Sequence, residues 1–174
     1  YSKKLNSQIR CQYTIKNAHE NISKRLKGGN NVALKLLEDL RKLMWENCGV
    51  IKEEKILSEG LSKLYELKSL SNDIEVMVNE NDFQDLILSF DLESSIFCAE
   101  ATFKSAISRK ESRGSHQRSD FKETNEVENC NYSIRLKDKI LEIKKNSLSI
   151  LNDDLREVVE NTKKITSLKG KLLE

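Results

Sequence analysis

The sequence predicts a mainly α-helical fold: an antiparallel three- to four-helix bundle, then a short β-hairpin and a C-terminal helix. Three observations carry this. Leucines recur at three- and four-residue spacing through much of the first 120 residues, as a buried helical stripe requires. Proline is absent throughout, so punctuation falls to glycine and asparagine. Beyond Asp120 the apolar period shortens to two, the pattern of extended chain.

Taken in order, Leu5, Ile9, Tyr13, Ile22 and Leu26 suggest a first helix with an indifferent face, broken by Lys27-Gly28-Gly29-Asn30-Asn31. Asn31 is then expected to cap the second helix. That helix carries Val32, Leu36, Leu37, Leu40, Leu43 and Met44, and stops near Cys48, with Gly49 as its C-terminal glycine. A third begins between Glu53 and Ser58 and shows Leu57, Leu61, Leu64 and Leu67 on one face, its end blurred between Asn72 and Asn81. The fourth runs from Phe83 to Glu111 with a wide apolar face. Its Ala99, Ala101 and Ala106 would let a neighbour approach closely, as befits the central helix of the bundle. Tyr132, Ile134 and Leu136 alternate, Lys137-Asp138-Lys139 can turn, and Ile140 to Ile143 return, which reads as a hairpin. Asn152-Asp153-Asp154 starts a last helix ahead of Leu155, Val158, Val159 and Thr162. The expected division is a helix or linker over 1–30, the bundle over 31–121, and the hairpin with its helical tail over 122–174.

Composition narrows the function classes. Thirty basic and 28 acidic residues leave a net charge of +2, and the lysines are interleaved with acids. No basic footprint for nucleic acid results. The longest apolar run falls far short of the roughly 18 residues that a membrane span needs, and no signal-peptide pattern opens the chain. The chain begins with Tyr1, so a piece of a longer protein is expected. Cys11, Cys48, Cys98 and Cys130 stand far apart beside two histidines, so no metal site is expected. Cys48 and Cys98 fall in apolar helical patterns and are expected as buried, reduced thiols.

The stretch from Ser108 to Phe121 is the richest in chemistry. Arg109, Arg113, His116 and Arg118 crowd around Gly114, whose left-handed conformation is expected to stop the fourth helix. A helix carbonyl end favours cations, so these donors suit carboxylates, phosphates or backbone carbonyls. Arg113 and His116 are the principal candidates. Arg109 and Arg118 are expected on a solvated face, and Glu111 in an exposed pairing of little energy. Trp45, the only tryptophan, is expected as a helix-end staple, with an interface anchor as the alternative. His19 is expected at the surface.

The order Arg-Lys-Glu-Ser-Arg-Gly-Ser-His-X-Arg-X-Asp-Phe over 109–121 resembles a segment of the succinate dehydrogenase, fumarate reductase and L-aspartate oxidase flavoproteins. So does Leu40-Arg41-Lys42-Leu43-Met44-Trp45-Glu46-Asn47-Cys48-Gly49-Val50-Ile51, which is similar to a family helix ending Met-Trp-X-Asn-X-Gly-Val. With the spacer between them they span Val32 to Phe121. Two departures stand out: Lys122 replaces a usual proline, and Gln117 a common aromatic.

The resemblance implies the C-terminal helical domain of such a flavoprotein, packed on a flavin domain elsewhere in its parent. It implies FAD bound by that other domain, with no catalytic or cofactor-binding residue in this piece. Arg113, His116, Arg109 and Arg118 would lie at the active-site or flavin-domain interface. In succinate dehydrogenase or fumarate reductase, an iron–sulfur subunit would exchange electrons with the flavin. The location implied is cytoplasmic, peripheral to the inner face of a membrane through partner subunits. Two alternatives stand beside it: the corresponding domain of an L-aspartate oxidase, which makes iminoaspartate, and a stand-alone helical interaction module without redox chemistry. Glycines 28, 29, 49, 60, 114 and 170 contain no Gly-x-Gly-x-x-Gly turn for a dinucleotide pyrophosphate.

Overall fold

A computed structural model describes residues 2–78, 82–137, 140–148 and 152–171. Five α-helices dominate the described residues. α1 spans Ser2–Arg25, α2 Ala33–Asn47, α3 Glu54–Leu70, α4 Gln84–Ser108 and α5 Asp153–Lys171. The predicted bundle is α2, α3 and α4, which pack mutually around one core. Leu36, Leu37, Leu40 and Leu43 of α2 meet Leu57, Leu64 and Leu67 of α3 and Leu92, Ile96, Ala99, Phe103 and Ala106 of α4. Each set keeps the three- and four-residue spacing that points one helix face inward. α3 runs against the other two. Gly60, near its start, meets Asn47 at the end of α2 and Phe103 near the end of α4.

Two-residue strands staple both ends of this bundle. β1 (Asn31–Val32), before α2, pairs in parallel with β3 (Ile74–Glu75), after α3. β2 (Ile51–Lys52), before α3, pairs in parallel with β4 (Gln117–Arg118), after α4. The hairpin is longer than the alternation suggested: β5 (Cys130–Lys137) and β6 (Ile140–Ser147) are antiparallel, with Ile134 opposite Ile143. The predicted turn at Asp138 and Lys139 lies outside the described residues. Asn152 accepts a hydrogen bond from the Leu155 amide at 3.0 Å, capping α5 as expected. Among the described residues no helix is long and apolar enough to cross a membrane.

Several expectations need correction. Asn31 does not cap α2, because Val32 holds that position without a side-chain bond. Instead the Asn31 amide group donates to the carbonyls of Leu70 and Asp73, tying the start of α2 to the end of α3. Gly49 is not left-handed. A Cβ there would lie 2.8 Å from the Trp45 carbonyl oxygen, so close passage over the helix end requires glycine. α4 stops at Ser108, and Arg109 is already extended (φ −87°, ψ 104°). Cys98 is exposed and Cys48 half-buried. The buried stripe of α4 passes through Ala99, one position along, and apolar residues elsewhere around the helix obscure it. Trp45 is 77% exposed, which removes the staple and leaves an aromatic at the surface.

Close approach falls at Gly60. A Cβ there would sit 2.5 Å from the Asn47 Cβ and 2.7 Å from a ring carbon of Phe103, which is fully buried. Alanine would gain about 1 kcal/mol of helix propensity, but overpacking a rigid site costs about 1–3 kcal/mol. The second effect wins because the Phe103 ring has nowhere to swing. Gly60→Ala is expected to lower stability by about 1–2 kcal/mol, measured as a lower urea midpoint at unchanged slope.

One charged group is also built into the core. Glu100 of α4 is 4% exposed, and accepts from Lys68 of α3 and Lys104 of α4 at 2.7 Å each. Desolvation would raise its pKa, and the two ammonium groups outweigh it, so the carboxyl titrates below its usual range.

Candidate functional site: an arginine clamp at the end of α4

A helix that ends on Ser108 leaves its last carbonyls without intrahelical partners. No glycine cap serves them. Arg118, from β4, donates through Nη1 to the Ala106 carbonyl at 2.8 Å, and the Tyr132 hydroxyl, whose proton goes to Glu128, lies 3.2 Å from the Ser108 carbonyl. The next carbonyl, of Arg109, accepts from His116 Nε2 at 3.2 Å. The loop after α4 therefore folds back over the helix end. Of the ligands its donors suit, it serves backbone carbonyls and carboxylates of the chain itself.

Gly114 supplies a different turn from the one expected. At φ +58° it occupies a two-residue reversal between Arg113 and His116, whose backbones exchange hydrogen bonds of 2.9 and 3.1 Å. The mirror-image turns that close such hairpins require positive φ at that position. This reversal returns the chain so that β4 can pair with β2.

Arg118 is the opposite of solvated. Its guanidinium is fully buried and grips Asp120 through Nε and Nη2 at 2.7 and 2.6 Å, while Asp120 accepts from the Glu54 amide at 2.9 Å. Glu54 opens α3, so Asp120 caps that helix from a distant part of the chain. The hydrogen bond from Arg118 holds the Asp120 carboxyl far below its usual range, against desolvation. One arginine–aspartate pair thus closes the C-terminal end of α4 and the N-terminal end of α3.

Glu111, like Arg118 and Arg109, lies elsewhere than the sequence suggested. It is fully buried, not exposed. Arg113 Nε donates to both its oxygens at 3.0 and 3.1 Å, Arg109 Nη1 donates to Oε1, and the Asn125 amide donates to Oε2 at 2.9 Å. Arg109 continues to the carbonyls of Glu128 and Cys130 at 3.1 and 2.7 Å and stacks on Tyr132, 4.9 Å from the ring centre. It is largely buried and locks the hairpin to α4. Ser112 adds three bonds: its hydroxyl donates to the Phe121 carbonyl and accepts from the Arg118 amide, and its amide donates to the Glu123 carbonyl. Glu111, Ser112, Asp120, Asn125 and Tyr132 belong to the clamp and were not among the candidates. A signal existed. Arg109, Glu111 and Arg113, like Arg118 and Asp120, are two residues apart, and extended chain puts such positions on one side.

All four candidates are thus brought together, and most of their donors are engaged within the chain. Arg113 alone keeps a guanidinium about one-third exposed. His116 is half-buried. Desolvation and the charges of Lys52, Arg118 and Arg109 push its pKa down, so it is neutral at pH 7. His19 is exposed, as expected.

Burial alone would raise the Glu111 pKa. Hydrogen bonds from Arg113, the Asn125 amide and Arg109 outweigh it and lower the value from 4.5 to about 2. A folded-state value below the unfolded one means stability that is present above about pH 4.5 and lost as pH falls towards 2. Thermal melts between pH 6 and 2.5 are expected to fall steeply below pH 4.5, and Glu111→Gln is expected to flatten that slope.

The comparisons with known proteins converge on this architecture. The family described as "Fumarate reductase flavoprotein C-term" matches residues 37–166, about three-quarters of the chain. An uncharacterised FAD-dependent oxidoreductase of Methanocaldococcus jannaschii is 42% identical over 101 residues, 58% of this chain and 18% of that protein. The fumarate reductase flavoprotein subunit of Haemophilus influenzae is 32% identical over 100 residues, 57% of this chain and 17% of its own length. The chain spans about a fifth of the length of these relatives. Among solved structures, an Escherichia coli quinol fumarate reductase superposes with a TM-score of 0.75 at 20% identity, covering 81% of this chain and 25% of that one. That likeness shows a shared fold. The bundle from Leu37 onward, the clamp over the end of α4 and the hairpin locked to it by Arg109 fall within the matched span, and the chain belongs to the C-terminal domain family of the fumarate reductase and succinate dehydrogenase flavoproteins.

Proposed function

We propose that the chain is the C-terminal domain of an FAD-dependent flavoprotein subunit that interconverts succinate and fumarate, serving as a rigid buttress for a flavin domain elsewhere in its parent. The observation that carries this is the family match running unbroken through bundle, clamp and hairpin over residues 37–166. Fumarate reductase subunits and an FAD-dependent oxidoreductase among the relatives support it.

The residues present do not fit FAD itself. A dinucleotide cradle needs an open glycine turn between a strand and a helix. Here a Cβ on Gly29 or Gly60 would meet this chain's own atoms at 2.5 Å, and Gly28 and Gly114 lie in isolated turns. No flavin step is assigned to this chain. What its residues do is hold a shape: Glu111, Arg109 and Arg118 fix the loop, and the loop fixes the outward guanidinium of Arg113. Arg113 and His116 are proposed to face the flavin domain near its active site, and an iron–sulfur subunit is the proposed electron partner.

The test is complementation. The chain is mixed with the FAD-loaded remainder of its parent, and dichlorophenolindophenol reduction is followed with succinate and, as rival, aspartate. Succinate turnover restored by the chain and lost in Arg113→Ala is the expected result. A folded chain that neither associates nor restores turnover leaves a helical interaction module and overturns the reading.

A further inference from the structure

Cysteines far apart in sequence meet in the fold. A groove of about 750 Å³ between α2 and α4 is lined by Met44 of α2, Cys48 at its end and Cys98 of α4. Cys48 caps α2, and its amide donates to the Met44 carbonyl at 2.9 Å, so the two residues stand one helical turn apart. Side chains at that spacing lie one above the other, with Cβ atoms about 5–6 Å apart. Asn47 and Phe103 both meet Gly60, which sets the two helices level with each other there. Cys98 precedes Phe103 by little more than a turn, so it lies alongside the last turn of α2. Both thiols are unbridged, Cys98 exposed and Cys48 half-buried, so solvent reaches the group from the Cys98 side.

The rest of the lining decides what these three side chains could hold. Among the described residues it carries no aspartate, glutamate or histidine, and Arg41 is its one charged side chain. Cations that take carboxylate oxygens find none there. Nor do the described residues group three or more His, Cys, Asp or Glu side chains as zinc requires. Two thiolates and a thioether are instead the donors that copper(I) selects. Methionine is unbranched and flexible, so its sulfur can follow the ion. Arg41 offsets the negative charge that two thiolates and one copper(I) leave behind.

We propose that Met44, Cys48 and Cys98 form an all-sulfur site for one soft monovalent metal ion, copper(I). The two thiols bind as thiolates and release their protons to solvent. The Met44 thioether adds a neutral third donor, and no electron changes hands. The site goes beyond the domain reading above and does not depend on it. The sequence expectation of no metal site rested on the lack of closely spaced cysteine and histidine pairs; here the third donor is a methionine, and the second thiol comes from a different helix.

The experiment titrates the chain, without oxygen and with ascorbate present, into the coloured bicinchoninate complex of copper(I). One copper withdrawn per chain is expected, from a protein that stays monomeric by size exclusion. Trp45, the only tryptophan, lines the same groove, so its fluorescence should change with the same stoichiometry. Cys48→Ser and Cys98→Ser should each weaken binding at least about tenfold, since even groups behind a metal's direct ligands contribute about 10–100-fold. Met44→Leu keeps the side-chain volume and should weaken binding by less, while X-ray absorption loses one of three sulfur neighbours. Cys11→Ser, on α1, should change nothing. Circular dichroism checks the fold of each variant; Cys98 is exposed, so its serine variant tests the site even where Cys48→Ser unfolds. No withdrawal, withdrawal that survives Cys98→Ser, or withdrawal that needs Cys11 overturns the proposal. Copper that joins two chains overturns it too, as does a sulfur shell indifferent to Met44→Leu.

Discussion

Glu111→Ala is expected to destabilise the fold by about 3–4 kcal/mol, on the order of 10 °C in Tm for a chain of this size. Glu111 is fully buried and accepts from Arg113, Arg109 and the Asn125 amide. Its removal strands the largely buried Arg109 guanidinium and leaves the Asn125 amide unpaired. Breaking a buried pair from one side costs more than the pair is worth, because the surviving charge stays desolvated. Native domains have only about 5–15 kcal/mol to lose. Glu111→Gln keeps the shape and one acceptor oxygen but removes the charge, so it should fall between wild type and alanine. Differential scanning calorimetry at pH 7 checks the order. An alanine variant within 1 kcal/mol of wild type would mean that Arg109 finds equal partners at the carbonyls of Glu128 and Cys130, and that the carboxylate is dispensable.

How much of this was legible depended on whether a residue's partner lies along a regular period. The stripes of α2 and α3 were, because their leucines fall at helical spacing with polar residues between. The face of α4 was not. Ile87, Phe90 and Phe97 lie off the buried stripe that runs Ser89, Leu92, Ile96, Ala99 and Phe103, so apolar residues surround the helix and Cys98 looked internal. A buried Glu100 on that stripe contradicted the pattern outright, and only the Lys68 and Lys104 partners explain it. In the loop, the crowding of arginines was plain and their fate was not. Arg118 and Arg109 are consumed by carbonyls of Ala106 and Cys130, groups that every residue carries and no sequence advertises. Gly114 was correctly expected to be left-handed, but it closes a hairpin instead of stopping α4, and that hairpin's purpose, returning β4 to β2, depends on a pairing some 65 residues distant.

Arg118→Ala is the second large effect, expected at about 4 kcal/mol. Its side chain is fully buried and joins three structures: the Ala106 carbonyl at the end of α4, Asp120 through a two-pronged grip, and through Asp120 the first turn of α3. Alanine would leave the Ala106 carbonyl buried and unpaired, a loss of about 1–3 kcal/mol. It would also leave the Asp120 carboxylate without its cation, raising its pKa and weakening the cap on Glu54. Arg118→Lys separates charge from geometry. A lysine keeps the positive charge, but its single ammonium cannot reach both Asp120 oxygens and the Ala106 carbonyl from one position. Lysine is therefore expected to recover less than half of the loss, read as the urea midpoints of the three proteins. Full recovery by lysine would show that charge alone holds the two helix ends together. The double variant with Asp120→Asn should cost less than the sum of the two single changes, because each removes the same pair.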